Sequence, residues 1–93
     1  MTKKELISEM VKVQTEIHNA LEQLKLLDNE KAYLLEMARN YDVELPIELQ
    51  TRMQKSLEHM KKWANKLKTL RIKSDQLKSK MDFEIANANG GNQ

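Results

Sequence analysis

Apolar residues recur along this chain in alternating steps of four and three, the spacing of a coiled-coil seam. Before a central break the series is Leu6, Met10, Val13, Ile17, Ala20, Leu24, Leu27, Lys31, Leu34, Ala38 and Tyr41, apolar except at Lys31. After it come Leu49, Met53, Ser56, Met60, Trp63, Leu67, Leu70, Ser74, Leu77, Met81, Glu84 and Ala88, with exceptions at Ser56, Ser74 and Glu84. This spacing lines one stripe of a helix, so each series predicts a long amphipathic helix. The first is predicted over 3–41, opened by Thr2 and Glu5 at the spacing of a capping box. The second is predicted over 46–87, followed by a flexible tail at 88–93, where two glycines lie among asparagines.

Between them lies Asp42-Val43-Glu44-Leu45-Pro46. Proline lacks a backbone donor and clashes inside a helix but suits its first turn, and it pushes the preceding residue toward extended geometry. A bend at 42–45 with a new helix from Pro46 follows. A rod running straight through Pro46 would cost about 3 kcal/mol and carry a kink. The fold class is therefore all-α: an antiparallel two-helix hairpin, coiled-coil-like, completed to a four-helix bundle by a partner or second copy.

Matched arms set the register. Folding at the bend puts Ala38 opposite Leu49, Leu34 opposite Met53, Leu24 opposite Trp63, Ala20 opposite Leu67, Ile17 opposite Leu70, Met10 opposite Leu77 and Leu6 opposite Met81. The polar exceptions share layers, with Lys31 opposite Ser56 and Lys3 opposite Glu84, while Val13 meets Ser74. A slip of one heptad would set Lys31 against Trp63, so the sequence opposes it. Lys31 reads as a lysine whose amine reaches outward over its own apolar stem, and Trp63 as a core anchor. Toward the end of the second series, Leu77, Met81, Ile85 and Ala88 follow steps of four, four and three, a local stutter.

The two flanks of the seam differ. On one, Glu9, Glu16, Gln23, Glu30 and Met37 run against Lys80, Lys73, Lys66, His59 and Arg52, so acid faces base. Such exposed pairs contribute only about 0.2–1 kcal/mol each and support the pairing direction more than the stability. On the other lie Ile7, Leu21 and Leu35 with Leu57, Ala64 and Ile85. Two helices alone bury a narrow stripe, so six apolar side chains beside it imply a partner. These six are the candidate partner-binding residues, widened by Leu26, Tyr33, Ile72 and Phe83.

Composition agrees with long helices: of 93 residues 32% are charged and 4% aromatic, with two glycines and one proline. The net charge of +2 hides an asymmetry, since residues 1–45 hold six Lys/Arg against nine Asp/Glu, and residues 46–93 hold ten against five. Lys55, Lys61, Lys62, Lys68 and Lys78 form a basic surface on the second helix that could follow a phosphate backbone or an acidic protein. Near-neutral total charge and the absence of interleaved aromatic residues weigh against nucleic acid as the main partner.

Candidate chemistry changes little. With no cysteine there is no disulfide or thiolate chemistry, which fits a reducing compartment, and the location expected is the cytoplasm, with export by a route that needs no signal peptide left open. No apolar run reaches the roughly 20 residues needed to span a bilayer. His18 and His59 sit on different arms without metal-ligand spacing, and there is no phosphate loop or nucleophile motif. The expectation is no catalysis, no cofactor and no metal. The function expected is a non-enzymatic helical adaptor that binds another helical chain or itself. In size and hairpin plan the chain resembles the small bacterial proteins of the Trp-Xaa-Gly secretion family and their helical companions. That resemblance implies, as an alternative, a secretion-associated partner or targeting chaperone for a helical exported protein. The bend here is Asp42 to Pro46 and Trp63 lies in mid-helix, so no family residue carries over. A small nucleic-acid-binding regulator using the basic arm is the other alternative.

Overall fold

Helix α1 (Lys3–Ala38) begins where the Thr2 hydroxyl accepts the Glu5 backbone N–H at 3.1 Å, capping one of the free donors of the first turn. The computed structural model describes residues 2–42 and 44–90, with side chains as far as Asn87. After the bend, α2 (Ile47–Gly90) returns along α1, and the pair extends over 75 × 17 × 14 Å. Among the described residues the protein is all-helical, two helices packed against each other.

The break is longer than its sequence signals. α1 stops at Ala38, three residues before Tyr41, and tightens at its end, with Asn40 N–H donating to Met37 O and Tyr41 N–H to Ala38 O. These bonds span three residues rather than four, the narrower turn common at helix ends. Asn40 and Asp42, whose side chains compete with helical backbone bonds, explain the early exit. Tyr41 thereby leaves the seam and is exposed. Pro46 sits one place before the first helical residue, its carbonyl accepting the Gln50 N–H at 3.0 Å. The Gln50 amide also donates from Nε2 to Leu45 O at 2.7 Å, satisfying a carbonyl the helix cannot reach. Replacing Gln50 with alanine is expected to lower stability by about 1 kcal/mol, measured as a shift in the denaturant midpoint. Val43, within the expected bend, lies outside the described residues. At the far end α2 runs to Gly90, beyond the expected 87. Of the tail expected at 88–93, residues 91–93 lie outside the described residues.

Among the described residues, each buried one lies on the seam. Leu6, Val13, Ala20 and Leu34 are buried on α1, and Leu49, Ser56, Leu67, Leu70 and Leu77 on α2. Leu6, Val13 and Leu77 form one cluster with Met10, Ile17 and Met81 against it; Ala20, Leu67 and Leu70 form a second with Ile17, Leu24 and Trp63. These groupings are those of the expected register, with small Ala20 admitting the leucines of α2. Val13, expected to face Ser74, is buried, and Ser74 instead accepts Gln14 Nε2 at its Oγ, 3.0 Å away. Glu84 is exposed, and the side chain of Ala88 lies outside the described residues.

Candidate functional site

The six apolar flank residues occupy columns that repeat every seven positions. On α1 the column runs Ile7, Gln14, Leu21, Asp28, Leu35; on α2 it runs Gln50, Leu57, Ala64, Arg71, Lys78, Ile85. A seven-residue repeat on a helix returns to nearly the same angle, so each column is a stripe beside the seam. Ile7, Leu21, Leu35, Leu57 and Ile85 are 43–47% exposed, and Ala64 is exposed as well. These side chains stand half in the seam wall and half in water. Lys78, counted from sequence with the outward basic surface, shares the α2 column.

The structure brings Leu35 and Leu57 together but not the others. They border a groove of about 370 Å³ near the bend, walled by Leu34, Leu45, Met53 and Met60, with Lys31, Gln50 and Gln54 around it and Ser56 lining it. The groove follows from the shared polar layer. Lys31 is exposed, and Ser56 opposite it is small, so this layer lacks the apolar bulk that the seam supplies elsewhere. Ser56 is 4% exposed, and no protein group hydrogen-bonds its Oγ. Sequence reasoning paired Lys31 with Ser56 but did not foresee a recess; a small residue opposite a long charged one was the signal. A second, more open groove holds Ala64 with Leu24, Leu67, Arg71 and Ile72. Ile7 and Ile85 sit apart, at the open end of the hairpin.

Elsewhere the surface is solvated. Glu9 and Lys73 approach to 3.9 Å on the charged flank, one heptad from the expected Glu9 to Lys80 match; the long lysine stem spans the extra turn. Lys66 Nζ lies 4.9 Å from the Trp63 ring centre, a cation over an aromatic face. Trp63 is half-buried against the second cluster. Lys55, Lys61, Lys62, Lys68 and Lys78 are all exposed, as are Leu26, Tyr33, Ile72 and Phe83. Val11 and Ile47, not singled out from sequence, are exposed too. His18 Nε2 stands 3.7 Å from a Glu22 carboxylate on the open surface. Among the described residues no three His, Cys, Asp or Glu side chains gather where they could hold a metal ion, and no helix is long and apolar enough to cross a membrane. Compared with known proteins, the chain matches no family model, no curated protein and no solved structure.

Proposed function

We propose that this protein is a non-enzymatic interaction module, a helical hairpin that docks against another helical chain or a second copy through the face formed by Ile7, Leu21, Leu35, Leu57, Ala64 and Ile85. The observation that carries the reading is the set of half-exposed apolar side chains that recurs in one column of each helix, beside a seam that buries its own clusters. Surface area supports it. The chain exposes 7572 Å², against about 5,600 Å² for a compact monomer of its mass. A partner helix laid along the face removes apolar surface from water at roughly 25 cal/mol per Å², before the costs of association are subtracted. Completing the layer to four helices is the usual solution for a hairpin of this geometry.

Replacing Leu21 and Leu57 together with glutamate tests the reading. Both side chains are half-exposed and outside the buried clusters, so circular dichroism should keep its helical signature. Light scattering, on the chain alone and with a captured partner, should show the assembly lost. An assembly of unchanged mass overturns the proposal. Holding a helical segment of an exported protein would be one use of the same face, and co-purification of a larger helical chain is its signature.

The exposed lysines of α2 support a second reading, contact with nucleic acid. It predicts affinity that falls steeply with salt as phosphate neutralisation releases counterions. No mobility shift of labelled DNA or RNA at low salt would remove it.

A further inference from the structure

Helical spacing gathers a run of cations on the side of α2 away from the two grooves. Resting on the nucleic-acid reading above, we infer that the exposed ridge from Arg52 to Lys66, flanked by Tyr33 of α1, binds a single-stranded nucleic acid.

Arg52, Lys55, His59, Lys62 and Lys66 follow one another in steps of three and four, the spacing that lines one stripe of a helix. The same steps continue through Thr69, Lys73, Gln76 and Lys80, and no acid interrupts them. Each of these residues is exposed. The ion pair of Lys73 with Glu9 places the stripe on the charged flank, opposite the flank that carries the grooves. Lys66 is held there over the Trp63 ring, 4.9 Å from its centre. The lysines grouped from sequence as one outward surface therefore divide. Lys55 and Lys62 belong to the stripe, whereas Lys68 lines the second groove on the other flank, with Lys61 one heptad before it.

Register confines the site to the half of the hairpin nearer the bend. Lys73 and Lys80 run beside Glu9 and Glu16 of α1, which offset them. Beside Arg52 to Lys66 the same row of α1 reads Gln23, Glu30 and Met37, with one carboxylate in place of two. On the outer edge, Glu58 is engaged with the Gln54 amide at 3.3 Å. Among the described residues, none of Arg52, Lys55, Lys62 and Lys66 forms an ion pair. The register of the two clusters makes Tyr33 level with Gln54, between Arg52 and Lys55. Three residues on from Glu30 and four before Met37, Tyr33 stands on the side of that row, and it is exposed. Cations in a line with an aromatic ring beside them give an unpaired strand both its contacts, phosphate to charge and base to ring.

Shape selects an unpaired strand over other polyanions. The hairpin is a rod of 75 × 17 × 14 Å. A duplex turns once in about 34 Å, so its backbone leaves a straight ridge within half a turn. A single strand can straighten along the roughly 21 Å from Arg52 to Lys66. A flat anionic bilayer would meet the row of α1 together with the stripe, and that row carries Glu9, Glu16 and Glu30.

Fluorescence anisotropy of a labelled oligothymidylate, titrated with the full chain at several salt concentrations, tests the site, with circular dichroism confirming that each variant remains helical. Neutralising one phosphate with each of Arg52, Lys55, Lys62 and Lys66 gives log affinity a slope on log salt of about −2.8. Lys55→Gln combined with Lys62→Gln should weaken binding by about tenfold and reduce the slope to about −1.4. Lys61→Gln combined with Lys68→Gln removes the same charge from the other flank and should leave affinity and slope nearly unchanged. Tyr33→Ala should weaken binding by about fivefold with the slope unchanged, as loss of a stacked base does. Equal losses from the two lysine pairs overturn the ridge while leaving nucleic-acid contact with α2 in place. Equal affinity for a duplex of the same length, or capture of phosphatidylglycerol vesicles in place of the oligothymidylate, overturns the single strand as partner. An oligothymidylate and a duplex that both fail to bind at low salt overturn the nucleic-acid reading itself, and the ridge with it.

Discussion

Replacing Ala20 with aspartate is expected to unfold the hairpin at neutral pH. Ala20 is 0% exposed and packs against Leu67 and Leu70, so a carboxylate introduced there is taken out of water among apolar side chains. Leaving an uncompensated charge buried costs about 3–5 kcal/mol, and a hairpin that buries only a narrow stripe sits at the low end of the roughly 5–15 kcal/mol typical of folded domains. Far-UV circular dichroism at pH 7 should show most helical signal gone. Acid should bring part of it back. Burial raises the introduced carboxyl's pKa in the folded state above its unfolded value, so the folded state binds the proton more tightly. The penalty is then present in full above the folded pKa and shrinks as pH falls through it, levelling off near the unfolded value of about 4. Ala20→Asn, of similar size but uncharged, should be destabilised without that added pH dependence. Full helicity of the aspartate variant at pH 7 would show that the two helices do not close over this position.

Leu34→Ala should have the next largest effect on folding. Leu34 is among the largest fully buried side chains, 1% exposed, and it walls the groove near the bend. Its loss removes the transfer energy of the side chain and leaves a cavity that cannot collapse fully, together about 2–5 kcal/mol. In a chain of this length that corresponds to a fall in Tm of at least about 10 °C. Its neighbour provides the control. Leu35 is 44% exposed, so Leu35→Ala should move Tm far less while weakening any assembly formed through the docking face. Equal effects of the two substitutions on Tm would mean that the face is part of the hairpin's own core.

Much of this architecture could be read from side-chain spacing. Among the described residues, the steps of four and three named each one that is buried, because a position on a helix determines which direction its side chain faces once the axis is straight. Pro46 located the turn for an equally local reason, its missing donor. Where helix ends depended on a balance of small effects, local reasoning drifted: α1 ends at Ala38 rather than Tyr41, and α2 runs on to Gly90. The Glu9 contact shows the same limit from another side. A lysine stem can reach acids a heptad apart at nearly equal energy, so Lys73 rather than Lys80 meets it.

The six flank residues were also legible, as apolar positions left over once the seam was assigned. The groove beside two of them was not. Its existence depends on Lys31 standing at the rim while Ser56 stays buried, and on Leu45 of the bend closing one side.

By itself the sequence determined what periodicity and backbone chemistry can determine: two long helices, one break, the direction of return and the register that keeps polar residues in shared layers. Each is a property of neighbouring residues or of two stripes that must match. Only the tertiary structure decided the depth and walls of the recess and how far each flank side chain stands in water. Those quantities depend on how closely two helices approach, a distance set by the volumes of all the side chains between them together.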